Sequence, residues 1–201
     1  MIDGVIKYNL HFDKSEPLDK SLWQEIQVIR KKLKNLNLIG EKDGIGYGNI
    51  SQRVSKTSFV ITGTATGHLD ELDENHYSFV KEYNDREFFL NSTGACKPSS
   101  EALTHGSIYN LNDEIRAVIH VHSKDLWSYM LKNDFLTTND APYGSIRLID
   151  EVQKIYQNIN PLDNPIFVMP SHEDGVIAFG KNLDEALECL LLVYNLSLKN
   201  G

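Results

Sequence analysis

The order of helix and strand patterns along the chain predicts an α/β fold of three layers, in which helices cover both faces of one central sheet. Three observations lead to this prediction. Apolar residues recur every three or four positions over residues 18–38, as in an amphipathic helix. Short segments with β-branched residues are interleaved with further helical segments. Two pairs of strand segments resemble hairpins, so the sheet is expected to be mixed and mostly antiparallel.

Each element can be assigned in chain order. The helix over 18–38 is expected to close at Gly40, since helices often end at glycine. Strands are predicted at NISQRV, SFVITGT, NHYSFVKEY, REFFLN, RAVIHVHS, PIFVMPS and GVIAFG. The glycine-rich segments GIGYGN and GTATGH are expected to be loops beside the first two strands. Helices are predicted at KPSSEALTHGSIYNL, IDEVQKIYQNI and LDEALECLLLVYNLSLK, the first of them capped at Pro98, Ser99 and Ser100.

Length and charge limit the class of protein. The 201 residues suffice for one sizeable core, so a single domain spanning 1–201 is expected. The formal net charge is -8 and no basic stripe occurs, which gives no electrostatic reason to expect nucleic acid or an anionic membrane as a partner. The first twenty residues lack the apolar core of a signal peptide. Cys96 and Cys189 are expected to be free thiols, and the chain is expected to be a cytoplasmic protein.

The segment RAVIHVHS contains the strongest local signal for chemistry. Alternation along a strand places His120 and His122 on the same face, with their Cα atoms roughly 6–7 Å apart. Imidazoles so placed can both reach one metal ion at about 2.0–2.1 Å. Two hydrogen-bonded core histidines would produce the same pattern, so the pair alone leaves a metal site and a packing role open.

A third histidine makes a metal site the better interpretation. His172 follows the apolar strand PIFVM, where a loop could bring it over the face of His120 and His122. Three histidines with one open position are a catalytic zinc pattern. Glu173 and Asp174 are neighbouring carboxylates that could also ligate, so the third ligand stays open between them and His172.

Several loop residues are suited to acid–base work or to anion binding. Glu101 is a candidate general acid or base, although a carboxylate in the first turn of a helix is also favoured by the helix dipole. Ser99 and Ser100, at the start of a helix, could offer amides and hydroxyls to an anion. Gly48-Asn49 and Thr64–Gly67 are further loops of this kind. Each of them alone is compatible with an ordinary turn.

The order of these motifs resembles the class II aldolase/adducin family. The resemblance is based on Gly48–Ser51, Thr62–Gly67, Lys97–Glu101, His120–His122 and the Gly175-Val-Ile-Ala segment, and it extends from about residue 20 to about residue 195. The combination is specific although no single motif is. It implies a class II aldolase-like αβα fold and a small-molecule sugar phosphate as substrate. It also implies a homo-oligomer, for which the family resemblance suggests a tetramer.

Site roles follow from the resemblance to the fuculose-phosphate aldolase pattern. His120 and His122 would bind Zn²⁺ or another divalent transition metal. Glu101 would be the catalytic acid/base. The substrate phosphate would be bound by Asn49, Thr66, Gly67, Ser99 and Ser100. The family pattern has its third histidine directly before the glycine of the later segment, where this chain has Asp174. His172 is preferred as third ligand because three neutral imidazoles match the family's site.

The implied activity is that of a metal-dependent aldehyde-lyase, which cleaves or condenses a ketose phosphate through an enediolate. A dehydratase would use the same ion and the same glutamate, so the sequence does not separate the two. Related epimerases usually have aspartate at the position of Glu101, which makes an epimerase the weaker alternative. A non-catalytic adducin-like interaction domain would keep the fold and lose the metal. Tyr143 is a candidate second acid, with a packed or surface tyrosine as the other explanation.

Overall fold

The computed structural model describes residues 5–199, in which eight strands form one large sheet and two more form a separate hairpin. The strands are β1 (Asn9–Lys14), β2 (Gly40–Lys42), β3 (Ile45–Tyr47), β4 (Asn49–Arg53), β5 (Phe59–Thr62), β6 (Tyr77–Asn84), β7 (Phe89–Gly94), β8 (Ala117–His122), β9 (Ile166–Val168) and β10 (Gly175–Gly180). The helices are α1 (Gln24–Asn35), α2 (Ala102–Tyr109), α3 (Lys124–Lys132), α4 (Ile146–Ile155) and α5 (Leu183–Lys199).

The strand order of the large sheet places β8 near its centre. The order is β1-β7-β6-β5-β4-β8-β10-β9, and β2 pairs only with β3. Every neighbouring pair is antiparallel except β1 and β7, which run parallel. The predicted mixed, mostly antiparallel sheet is therefore confirmed.

Two hydrophobic cores lie on opposite faces of this sheet, as a three-layer arrangement requires. One core packs α1, α3 and α5 against the face that presents Ile119 and Val121. The other packs α2 and α4 against the face that presents Val118 and Ile177. Each buried aliphatic side chain contributes about 1.5–3 kcal/mol relative to leaving it exposed. Because side chains alternate along β8, the two histidines of that strand lie on the face covered by α2 and α4.

Two helix boundaries differ from the sequence-based expectation. The first helix is split into a 3₁₀ turn at Lys20–Leu22 and α1, and it ends before Gly40. Asn37 adopts a φ of 57°, and the Leu38 amide donates to the Leu33 carbonyl at 3.0 Å. This is the hydrogen bond of a left-handed helix cap, which asparagine can form in place of glycine. Gly40 instead begins β2.

The second difference concerns the start of α2, which was expected at Pro98–Ser100. The helix begins at Ala102, with Glu101 as its N-cap residue. The Ser99 amide donates to the Thr62 carbonyl at 3.2 Å, and Pro98 forms an isolated bridge with Gly63. These contacts hold the preceding residues beside the end of β5, so the helical turn can start only after them.

Three elements were not predicted: β1, the β2–β3 hairpin and α3. β1 is an edge strand in which Leu10 and Phe12 alternate with exposed polar residues, and two half-buried apolar residues are too few to make a clear strand signal. β3 lies inside the segment that was expected to be only a glycine-rich loop.

Both cysteines are free thiols, as predicted, and burial raises the pKa of Cys96 and of Cys189 to about 11. Among the helices of residues 5–199, none is both long enough and apolar enough to cross a bilayer.

Candidate active site

The two histidines of β8 face each other at hydrogen-bonding distance. Nδ1 of His120 lies 3.1 Å from the carbonyl oxygen of Val176, and a carbonyl can only accept, so this nitrogen is protonated. When the His120 ring is neutral, its Nε2 atom therefore carries the lone pair. It lies 3.0 Å from Nε2 of His122. The Val176 carbonyl on β10 thus orients the ring of His120. Metal-binding histidines are commonly oriented in this way, by a hydrogen bond from the ring nitrogen that does not bind the metal.

His172 reaches the same place from the turn between β9 and β10. β9 ends at Val168, and the His172 amide donates to the Met169 carbonyl at 3.2 Å. Gly175 is the partner of His122 in the β8–β10 register. A Cβ at this glycine would lie 3.0 Å from Cγ of the His172 ring. The missing side chain of Gly175 therefore makes the room in which His172 covers the two β8 histidines.

The three imidazoles form a cluster that can hold a divalent ion. Their potential ligand atoms all lie within 4.8 Å of one another. In a tetrahedral site with metal–nitrogen bonds of about 2.0–2.1 Å, two ligand nitrogens would be about 3.4 Å apart. Small side-chain movements would close that difference. Burial lowers the pKa of His122 well below its ordinary value, and the neighbouring His120, His172 and Lys42 lower it further. A neutral imidazole is the form that binds a metal.

Asp174, the alternative third ligand, lies outside this cluster. His172 and Asp174 both belong to the turn between β9 and β10, in which Asp174 has a φ of 66°, so the two residues do not lie on one face of an extended strand. One carboxylate oxygen of Asp174 lies 3.5 Å from Nζ of Lys42 on the β2–β3 hairpin. Within residues 5–199 the group of potential ligands comprises the three histidines alone.

Glu101 contacts the cluster instead of capping its helix. Its side chain forms no cap hydrogen bond with α2 and is 5% exposed. One carboxylate oxygen accepts from the Asn49 amide at 2.9 Å and lies 3.1 Å from Nε2 of His120. The other lies 3.5 Å from Nδ1 of His172 and accepts no hydrogen bond from the described residues. The helix dipole therefore does not explain why this carboxylate contacts the histidines.

The residues predicted to bind phosphate converge on one small polar cavity beside the histidines. Its walls include Asn49, Thr66, Gly67, Ser99 and Ser100, together with Glu101 and His122. The Thr66 hydroxyl donates to the Gly63 carbonyl at 2.9 Å, so Thr66 can serve an anion through its amide but not through that proton. The Ser99 oxygen accepts from the Glu101 amide at 3.3 Å, which leaves its hydroxyl hydrogen for another acceptor.

A larger cavity of about 510 Å³ opens over the other side of His122 and His172. The Tyr143 ring lines it with its centroid 4.9 Å from that of His172, and Nζ of Lys7 lies 3.5 Å from the centroid of the Tyr143 ring. Its walls also include residues of the β2–β3 hairpin, among them Lys42 and Tyr47. Sequence reasoning missed these hairpin residues, because a hairpin of three-residue strands leaves no readable alternation.

Sequence reasoning also missed a buried polar network behind the site. Oγ of Ser51 lies 2.7 Å from Nδ1 of His105 and 2.7 Å from the Tyr109 hydroxyl. Burial, with a smaller effect of His120, lowers the pKa of His105 well below its ordinary value. His105 follows Glu101 by four residues, one turn along the helix. That spacing was the available signal, since a histidine one turn from a site carboxylate lies on the same side of the helix.

The fold and the site together define a class of protein: a three-layer α/β domain in which three histidines, two buried and one half-buried, can hold a divalent metal beside a buried carboxylate. Residues 40–197 match the family described as the Class II Aldolase and Adducin N-terminal domain. The chain therefore belongs to this family, whose superfamily includes metal-dependent enzymes.

Individual relatives agree with this assignment. The chain is 28% identical over 159 residues to the 3-oxo-tetronate 4-phosphate decarboxylase of Haemophilus influenzae, with 71% of each chain covered. An L-fuculose 1-phosphate aldolase has a similar structure, with a TM-score of 0.69, 22% identity, and coverage of 90% of this chain and 85% of that one. A sugar-phosphate aldolase from Thermotoga maritima is also similar, with a TM-score of 0.68, 18% identity, and coverage of 89% of this chain and 92% of that one. At these identities the two structures establish the fold alone.

Proposed function

We propose that the chain is a metal-dependent lyase that cleaves or condenses a ketose phosphate through an enediolate. The observation that carries this proposal is the position of Glu101. Its carboxylate lies 3.1 Å from one histidine of the cluster and 3.5 Å from another, and it lines the cavity of the predicted phosphate ligands. A metal centre, a proton-transfer group and an anion cavity that share one wall suit enolisation of a phosphorylated ketone.

The three histidines fit a divalent transition metal, for which we propose Zn²⁺. Three nitrogen ligands leave a further position open to substrate, as in catalytic zinc sites. A metal held there would supply Lewis-acid chemistry, which would polarise the substrate carbonyl and favour negative charge on its oxygen. The chain itself fixes His120 through the Val176 carbonyl and seats His172 over Gly175, so the ligand nitrogens are oriented before an ion arrives.

Glu101 would move the proton at the carbon next to the carbonyl. In the cleavage direction the C4 hydroxyl would lose its proton to a second acid–base group, the C3–C4 bond would break with its electron pair left on C3, and protonated Glu101 would then give its proton to that carbon. In condensation it removes that proton. Asn49 holds one oxygen of Glu101 at 2.9 Å, so the other oxygen is the one available for transfer. A second acid is needed for the aldehyde oxygen, and Tyr143 beside His172 stays a candidate for that role.

Decarboxylation is the second candidate, favoured by the relative from Haemophilus influenzae. Loss of carbon dioxide from a 3-oxo acid phosphate produces the same kind of enediolate, so the metal and Glu101 would serve either reaction. We favour aldol cleavage because Asp43, Asp140 and Glu173 line the larger cavity, and Lys42 is the one lysine among its wall residues within 5–199. Lys42 already faces Asp174. Walls with this excess of carboxylates favour a neutral aldehyde half over a carboxylate.

The sequence left three further alternatives to an aldolase: a dehydratase, an epimerase and a non-catalytic domain. A sugar-phosphate dehydratase would use the same residues. An epimerase is less favoured by the glutamate at position 101. A non-catalytic adducin-like domain would not require a buried carboxylate in contact with two of the three histidines. We also propose that the protein works in the cytoplasm as a homo-oligomer, and light scattering that gives the mass of a monomer would contradict the latter.

Proton exchange tests the proposed function directly. The protein loaded with Zn²⁺, Mn²⁺ or Co²⁺ is incubated in D₂O with dihydroxyacetone phosphate, and loss of the hydroxymethyl proton is followed by NMR. Metal-dependent exchange is expected. A screen of ketose phosphates for aldehyde release, run beside a 3-oxo acid phosphate for carbon dioxide release, then separates aldol cleavage from decarboxylation. Absence of exchange with every metal would refute the enediolate mechanism.

A further inference from the structure

A buried cation of α1 holds the loop that contributes Thr66 and Gly67 to the small polar cavity. Arg30 is 1% exposed, and its guanidinium donates to the carbonyls of Thr66 at 2.9 Å and Leu69 at 2.6 Å. Longer contacts reach the carbonyls of Gly67 at 3.4 Å and Asp70 at 3.3 Å. Burial lowers the pKa of Arg30, but a guanidinium stays charged at neutral pH. A full positive charge therefore lies directly behind this loop.

One turn later on α1, a second cation contacts the same loop. Nζ of Lys34 lies 3.0 Å from the Gly67 carbonyl and 3.1 Å from the His68 carbonyl. Residues four apart on a helix share a face, so Arg30 and Lys34 act on the loop from one side. Lys34 is only half-buried, which makes it the less disruptive position for a substitution.

The direction of the loop carbonyls fixes the direction of the amides. In a trans peptide the carbonyl and the N–H point in opposite directions. Because the Thr66 carbonyl points to Arg30, the Gly67 amide points away from α1. A Cβ built on Gly46 would lie 2.8 Å from that amide nitrogen, and Gly46 lines the polar cavity. The glycine at position 46 thus leaves the Gly67 amide accessible from the cavity.

We propose that Arg30 is a positioning residue for the substrate phosphate. It turns the Gly67 amide toward the cavity and holds it there, and its charge makes the cavity more favourable for an anion. This inference rests on the proposed function, since it takes the phosphoryl group of the substrate as the ligand. Ordering such a loop before the substrate arrives removes an ordering cost from binding.

The test compares ketones with and without a phosphoryl group. Zinc-loaded wild type, Arg30→Met and Arg30→Lys are assayed for proton exchange with dihydroxyacetone phosphate and with dihydroxyacetone, and for inhibition by inorganic phosphate. In Arg30→Met we expect kcat/KM for the phosphorylated ketone to fall roughly tenfold, chiefly through KM, and phosphate inhibition to weaken by a similar factor. Exchange of dihydroxyacetone should change less than about twofold, and lysine should restore part of the loss.

Arg53 provides a matched control. It is also buried and also donates to backbone carbonyls, among them those of Lys56 at 2.9 Å and Ile115 at 3.3 Å, but it lies at the opposite end of β4 from Asn49. Arg53→Met should leave the preference for the phosphorylated ketone unchanged. If Arg30→Met does not fold, Lys34→Met carries the test, with a smaller loss of the same preference expected.

Two failures are distinguishable. Wild-type protein that exchanges neither ketone, or both equally well, would overturn the proposed function and its phosphate site. Wild-type protein with a preference for the phosphorylated ketone that persists in the folded Arg30 or Lys34 variants would overturn only the role of Arg30. An equal loss with both ketones would likewise show that Arg30 merely stabilises the fold.

Discussion

Replacement of Glu101 by glutamine isolates proton transfer from the other properties of this side chain. Glutamine keeps the shape of glutamate, and its amide oxygen can still accept the hydrogen bond that Asn49 donates at 2.9 Å. Its amide nitrogen can take the position 3.5 Å from Nδ1 of His172. The variant is therefore expected to fold and to keep its metal, because the group of potential ligands consists of the three histidines.

The expected loss of turnover follows from the role assigned to the carboxylate. A positioned general acid or base contributes about 10²–10⁴-fold to the rate. At 1.36 kcal/mol for each factor of ten, this corresponds to about 2.7–5.4 kcal/mol of transition-state stabilisation. The side chain is 5% exposed, so bulk water has poor access to replace it, and we expect a value in the upper half of this range.

The assay is the exchange of the hydroxymethyl proton of dihydroxyacetone phosphate, with metal content measured by elemental analysis on the same samples. Glu151→Gln is a matched control. Glu151 is also buried and also accepts from an asparagine, Asn139, at 2.7 Å, but it lies on α4. Its turnover should change less than about threefold. Wild-type turnover in Glu101→Gln would show that the glutamate has no part in proton transfer.

A double-mutant cycle with Asn49 sharpens the result. Asn49→Ala removes the hydrogen bond that fixes one oxygen of Glu101, so turnover should fall roughly tenfold, as expected for a bond to a charged group. In the Glu101→Gln background the same change should have little further effect, because the residue that it positions no longer transfers a proton. Full additivity would place Asn49 on a separate function, such as anion binding alone.

The remaining predictions concern the metal and the buried histidines. His120→Ala or His122→Ala should each lose the ion, and unchanged metal stoichiometry by elemental analysis would contradict the assignment. His172→Ala should weaken zinc binding at least tenfold in a competition titration while Asp174→Ala leaves it nearly unchanged; the reverse order would make Asp174 the third ligand. His105 is buried with a lowered pKa, so it stays neutral in the folded protein while its unfolded form takes up a proton below about pH 6.5. Stability of the metal-free protein should therefore fall as the pH drops below 6.5, by up to about 1.4 kcal/mol per pH unit for this residue. Urea unfolding of His105→Gln should show a shallower pH dependence than the wild type, and equal slopes would refute this contribution.

The sequence predicted the parts of the fold that bury an apolar pattern. β8 could be predicted because its apolar residues alternate between the two faces of the strand. α5 could be predicted because apolar side chains recur along the whole helix. β1 and the β2–β3 hairpin were not predicted from the sequence, because β1 is an edge strand with only Leu10 and Phe12 half-buried, and β2 and β3 have three residues each. The end of α1 was misplaced because Asn37 rather than a glycine forms the left-handed cap.

Some residues of the candidate site could be predicted from the sequence and others could not. The three histidines, Glu101 and the phosphate-site residues could be named from motifs and a family resemblance. The sequence alone did not decide between His172 and Asp174, since that depended on the chain turning after Val168 instead of continuing as a strand. Arg30 could not be identified as a site residue from helical spacing, because its role depends on a loop that lies 36 residues away in sequence.

Strand register explains why these separate motifs meet at one point. Asn49 of β4 lies directly opposite His120 of β8, and Gly175 of β10 lies directly opposite His122. The first pairing places the amide that holds Glu101, and the second opens the space for His172. Because side chains alternate, a slip of one residue in either pair would send these groups to the other face of the sheet. The site therefore depends on two specific strand pairings, and the apolar residues between the histidines and around them are what fix those pairings.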